Sequence, residues 1–123
     1  MDANNLVVLR GTVTSEPKRR ELPSGSIVTN IEITTRGDGP TASVPVVVHD
    51  RPVDVGTGDD VVVVGHVQRR FFRAGGITQS RTEVVAARVV PARRARTAAR
   101  AVEAAASLLS PTDAAPDRCA ASG

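Results

Sequence analysis

Val61-Val62-Val63-Val64-Gly65-His66-Val67-Gln68-Arg69-Arg70-Phe71-Phe72-Arg73 is the stretch that decides how this chain is read. It starts as an unbroken valine run, the pattern of a buried strand. It ends in arginines set around Phe71 and Phe72, the only aromatic residues present. Side chains on a strand alternate between faces. Val61, Val63, Val67, Arg69, Phe71 and Arg73 therefore share one side, and Val62, Val64, His66, Gln68, Arg70 and Phe72 the other. A buried strand that runs out into a basic, aromatic-tipped surface suits a sheet across which a single-stranded nucleic acid is laid.

The flanking chain is punctuated into further short strands. Residues 5–14 are dense in β-branched side chains, with Gly11 where a strand would bulge or coil sharply. Pro17 interrupts pairing and leaves Lys18-Arg19-Arg20 on an edge or loop, and Pro23-Ser24-Gly25 is a tight turn. Residues 26–35 alternate, with Ile31 and Ile33 toward a core, and residues 36–40 form a break before a third strand at 44–49. Residues 53–60 are too short and glycine-rich for more than one helical turn. After the central strand, Ala74-Gly75-Gly76 reads as a hairpin loop, and residues 77–90 as the last strand, ended by Pro91.

Residues 93–109 have high helix propensity, with Val102, Ala105, Leu108 and Leu109 at helical spacing. That face is only weakly apolar, which predicts a marginal or partner-dependent helix. Five strands with short turns predict an all-β domain, a five-stranded oligonucleotide-binding (OB-fold) Greek-key barrel, with a two-sheet sandwich as the competing architecture. The expected layout is a barrel over residues 1–92, a basic alanine- and arginine-rich helical extension over 93–110, and a disordered tail over 111–123.

Charge is unevenly spread. The net charge is +3, yet residues 61–100 hold nine arginines against the single acid Glu83. A concentrated positive block is the usual footprint of a polyanion partner. There is no run of ~18 apolar residues to cross a membrane, and no charged start followed by an apolar signal region. The one cysteine, Cys119, can form no disulfide within the chain. The expectation is a cytoplasmic protein, associated with the nucleoid where its polyanion is DNA.

Catalytic chemistry finds little to stand on. His49-Asp50 and His66 are too few and too scattered for a metal site. Gly56-Thr57-Gly58 lacks the Gly-Lys-Ser/Thr that completes a phosphate loop. No serine or cysteine has a base beside it in the pattern. The expectation is no enzyme, no metal and no cofactor.

The order of motifs resembles the bacterial single-stranded-DNA-binding protein family. Asn5-Leu6-Val7-Val8-Leu9-Arg10-Gly11 is similar to that family's opening Asn-x-(apolar)3-x-Gly strand. Glu16-Pro17 stands where the family has Asp-Pro. Pro23-Ser24-Gly25 followed by Val28-Thr29-Asn30-Ile31 resembles its Pro-Ser/Asn-Gly…Val-Ala-Asn-Phe segment. Gly58-Asp59-Asp60 with Val61–Gly65, and Thr82-Glu83-Val84-Val85-Ala86, resemble two later strands. The resemblance covers residues 5 to about 90.

The family stacks bases on aromatic side chains. Here Ser43 and His49 stand at two of its aromatic positions, the hairpin that carries another is cut to residues 36–42, and only Phe72 falls on an aromatic position. Its acidic tail ending in Pro-Phe has no counterpart in residues 111–123, which implies an auxiliary paralogue.

Stacking contributes on the order of 1–3 kcal/mol per base, so arginines must replace the missing platforms by pairing with phosphate and stacking on bases. The expected nucleic-acid-binding residues are Phe72, Arg70, Arg73, Phe71, Arg10, Arg19, Arg20, Arg36 and Arg81. The expected partner is single-stranded DNA, bound with little sequence preference in replication, repair or recombination. Base stacking serves RNA equally, so residue types alone leave that polymer open. The resemblance and the valine-rich strands imply a homo-oligomer, dimer or tetramer. The rival reading is an OB-fold protein–protein interaction module whose nucleic-acid surface has eroded.

Overall fold

The computed structural model describes residues 4–35 and 37–109. They form β1 (Val7–Val13), β2 (Lys18–Glu21), β3 (Ile27–Thr35), β4 (Ser43–His49), β5 (Asp60–Ala74), β6 (Ile77–Pro91) and α1 (Ala95–Leu108). The sheet runs β1-β5-β6-β4-β3-β2, and an additional β1–β3 pairing closes it into a ring. All pairings are antiparallel except the short β4–β6 contact, Val46 with Val84 and Val47 with Val85. The ring itself has the five expected strands; β2 is a sixth, outside the count made from sequence.

β2 exists because Pro17 breaks the first strand without ending its direction. β1 pairs with the far half of β3 (Gly11 to Thr35, Val13 to Ile33), and β2 with the near half (Lys18 to Asn30, Glu21 to Ile27). The two share one edge of β3. The basic triplet expected on an edge or loop is thus on a strand, in a hairpin turned by Pro23-Ser24-Gly25 with Gly25 at φ 91°.

Alternation on each strand builds the interior. Val13, Ile31, Ile33, Val46, Val48, Val61, Val63, Val84 and Ala86 meet inside the ring. Each buried valine or isoleucine contributes about 1.5–3 kcal/mol, which lets an aliphatic core stand without aromatics. Gly11 lies where β1 passes from β5 to β3, and a Cβ there would fall 2.3 Å from the Thr34 carbonyl oxygen. The strand can turn that corner only with glycine.

In β6 the alternation breaks once. Val64 faces Arg88 while Gly65 faces Ala86, so Ala87 is an extra, bulged residue. The simple two-residue period read from sequence therefore shifts phase there: Val84 and Ala86 point inward, then Val89 does, while Val90 points out. Arg51 donates from Nη1 to the Ala87 carbonyl, 2.6 Å away, and holds the bulge.

α1 lies on the outer side of this sheet. Its buried residues are Ala98, Ala101 and Ala105, packed with Val62, Val64 and Val90. The small stripe lets helix and sheet approach closely. Of the four residues read at helical spacing, Ala105 is buried, while Val102, Leu108 and Leu109 are exposed. Arg94 pairs with Asp54 at 3.1 Å and Arg93 with Asp59 at 4.0 Å, tying the helix start to the loop before β5. Arg96 and Arg100 are exposed. The helix therefore packs on the chain's own sheet rather than waiting for a partner. No helix among the described residues is long and apolar enough to cross a membrane.

Candidate nucleic-acid interface

The outward side of β5 starts under the helix and ends in the open. Val62 and Val64 are covered by α1; His66, Gln68, Arg70 and Phe72 continue the same parity beyond it. Antiparallel pairing sets Gln68 opposite Glu83, Arg70 opposite Arg81 and Phe72 opposite Gln79 on β6. The face extends across β4, β3 and β2 through Val47, His49, Val28, Asn30, Arg20 and Leu22. Lys18 has the parity of Arg20 and joins it.

Glu83 organises the middle of this face. It is buried, and its two oxygens are divided between two arginines: Oε2 lies 3.5 Å from Nε of Arg70, and Oε1 lies 3.9 Å from Nε of Arg81. Gln68 donates from Nε2 to Oε2 at 3.4 Å. A buried carboxylate needs such partners, and it fixes them in return. Arg70 also places its guanidinium 5.5 Å from the centre of the Phe72 ring. Arginine, ring and carboxylate form one linked group, and the Arg70 side chain is 44% exposed.

Ser43 and His49, two positions at which the resemblance expects aromatics, fall on this side as well. Val44, Val46 and Val48 point into the barrel, so Ser43, Pro45, Val47 and His49 point out. Ser43 ends a chain of hydroxyls, with Thr14 to Thr34 and Thr34 to Ser43 each at 3.3 Å. Glu32 is exposed on the same parity of β3, opposite Pro45, so the positive charge gathers toward the Arg20, Arg70 and Arg81 end. The depression between these residues is about 180 Å³, well below the ~300–1,000 Å³ of small-molecule sites. The shape is a surface, not a pocket.

The nine residues expected from sequence do not converge. Arg20, Arg70, Arg81 and Phe72 share the outward face. Phe71 and Arg73 stand on the opposite side of the β5–β6 hairpin, where Arg73 donates from Nη2 to the Gly76 carbonyl at 2.8 Å. Arg19 faces the other way from Arg20, beside Arg51 and Asp50. Arg10 is exposed next to α1, with Val8 and Ala99. Arg36 lies outside the described residues.

Sequence reasoning passed over Glu83 and Lys18. The signal for Glu83 was available: it is the lone acid in the most basic block of the chain. Among the described residues, no three or more His, Cys, Asp or Glu side chains gather as metal ligands would.

Residues 4–91 match the family model of the single-strand binding protein family. No curated protein matches the chain. The matched span contains every strand of the ring and the whole outward face, so the chain belongs to the single-strand binding protein family, whose members bind single-stranded DNA and are not enzymes.

Proposed function

We propose that the outward face of β2-β3-β4-β6-β5 holds single-stranded DNA with little sequence preference. The observation that carries this reading is the linked group of Phe72, Arg70, Glu83 and Arg81 with Arg20 across the sheet. Phe72 stacks a base. Arg70, Arg81, Arg20 and Lys18 meet phosphates, and Arg70 is also placed to extend a stack. Arg19 and Arg10 would reach a strand only as it leaves this face. With one ring in place of several, charge carries a larger share of the affinity, so binding should fall steeply with salt.

The protein would act in the cytoplasm on nucleoid DNA, as an auxiliary in replication, repair or recombination. The barrel over residues 1–92 would carry the binding, with 93–110 as its helical cover. A homo-oligomer is supported by β1: from Val7 to Arg10 it pairs with β5 alone, which leaves its other edge open, and Val8 is exposed there.

Anisotropy titration of a labelled mixed-sequence oligonucleotide, at low and moderate salt and against duplex competitor, tests the reading. Tight single-strand binding with a steep salt slope is the expected result. An absence of binding at micromolar protein in low salt overturns it.

A further inference from the structure

The β5–β6 hairpin projects beyond the barrel, and its two sides are chemically alike. On the outward side Arg70 covers Phe72. On the other, Arg69 lies 5.8 Å from the centre of the Phe71 ring. This second side is the continuation of the barrel's inner parity: Val61 and Val63 are in the core, and beyond Gly65 the same parity emerges as Val67, Arg69, Phe71 and Arg73. Opposite the last three stand Thr82, Ser80 and Thr78, all with hydroxyls.

Phe71 is 67% exposed. A phenylalanine so placed buries little on folding, and the barrel gains almost nothing from it. Among the described residues, neither Arg69 nor Arg73 has a carboxylate partner, whereas Arg70 and Arg81 across the hairpin share Glu83. The second side thus joins an open ring, two unneutralised guanidinium groups and a row of hydroxyl donors. That is the chemistry of a single-stranded polynucleotide: ring for base, cation for phosphate, hydroxyl for phosphate oxygen.

We propose that the side formed by Val67, Arg69, Phe71 and Arg73 binds a second single-stranded segment. One chain then holds two segments back to back across a two-stranded ribbon. The inference rests on the reading of the outward face as the first site. Charge complementarity selects the occupant: a second copy of this chain would have to bury Arg69 and Arg73 against a surface of opposite sign.

The test counts strands per chain by native mass spectrometry, using the full chain and an oligothymidylate of about six nucleotides, near the short end of what one barrel covers. The wild type should take two oligonucleotides per chain. Arg69→Ala with Phe71→Ala should take one, with the tighter binding unchanged. Arg70→Ala with Phe72→Ala should also take one, the weaker. Arg69 and Phe71 are both exposed, so truncating them leaves the barrel intact.

One strand per chain in the wild type, unaffected by the Arg69/Phe71 change and lost with the Arg70/Phe72 change, overturns the inference and leaves the first face standing. One strand weakened by both changes also overturns it, because the hairpin is then gripped as a single site. A shift of the protein's own mass with Phe71→Ala, with one strand bound throughout, identifies a second copy as the occupant and likewise overturns it. No strand bound by any form sinks both readings.

Discussion

Nε of Arg70 lies 3.5 Å from Oε2 of Glu83; the arginine side chain is 44% exposed and the glutamate 4%. The guanidinium is held through Nε by a buried carboxylate while the side chain stays half-exposed. Exchanging Glu83→Gln removes a negative charge from the face proposed to hold DNA, and charge alone would then tighten binding. Because the carboxylate fixes two arginines, the exchange should instead weaken binding several-fold. The barrel should stay folded, since Gln keeps the shape of Glu83 without a buried charge and the arginines it releases are half-exposed and open to water. Titration at fixed salt, beside thermal unfolding, checks both.

Phe72→Ala should cost about 1–3 kcal/mol of binding, the worth of one stacked base, with no loss of fold. The converse is more telling. His49 is exposed on the same outward face, so His49→Phe adds a ring without crowding a core. It should tighten single-strand binding by up to about the same amount. Equal affinity in both variants would remove stacking from the account.

Arginines on and off the face should separate by salt dependence. Arg20→Gln, Arg70→Gln and Arg81→Gln should each reduce the slope of log K against log salt by about 1. Arg19→Gln, whose side chain lies beside Arg51 and Asp50 on the other side of β2, should change it much less. Isothermal titrations across a salt series give the comparison.

Two glycines should be intolerant of any side chain. A Cβ at Gly11 would lie 2.3 Å from the Thr34 carbonyl oxygen, and one at Gly65 would lie 2.1 Å from that of Val85. Both obstacles are backbone and cannot swing aside. Gly11→Ala and Gly65→Ala should each destabilise by about 1–3 kcal/mol or more, seen as a lowered unfolding midpoint.

The barrel was legible in sequence because its signals are local. Valine runs, the Gly75-Gly76 turn and the alternation of residues 26–35 each report on one strand, and Gly11 announces its own bend. What was missed depends on how distant segments meet. β2 becomes a strand only because β3 offers it an edge beside β1. The bulge at Ala87 arises from the partner strand, so the alternation of β6 could not reveal it. Of Val102, Ala105, Leu108 and Leu109, the residues at helical spacing, only Ala105 is buried, because the close approach to Val62 and Val64 selects the alanines.

The site followed the same rule. Parity along one strand puts Phe72 and Arg70 on one side and Phe71 on the other, as the structure has them. That Arg20 and Arg81 join them is a product of pairing between strands. Glu83, read as one more position in a strand, turned out to hold two of the arginines.

Backbone amide shifts of the full chain, followed as a single-stranded oligonucleotide is added, map where the strand lies. With DNA on the outward face, the large changes should cluster at Arg20, Asn30, Val47, His49, Gln68, Arg70, Phe72 and Glu83. Changes confined to α1 and the loop at residues 53–59, with that set unmoved, would contradict it.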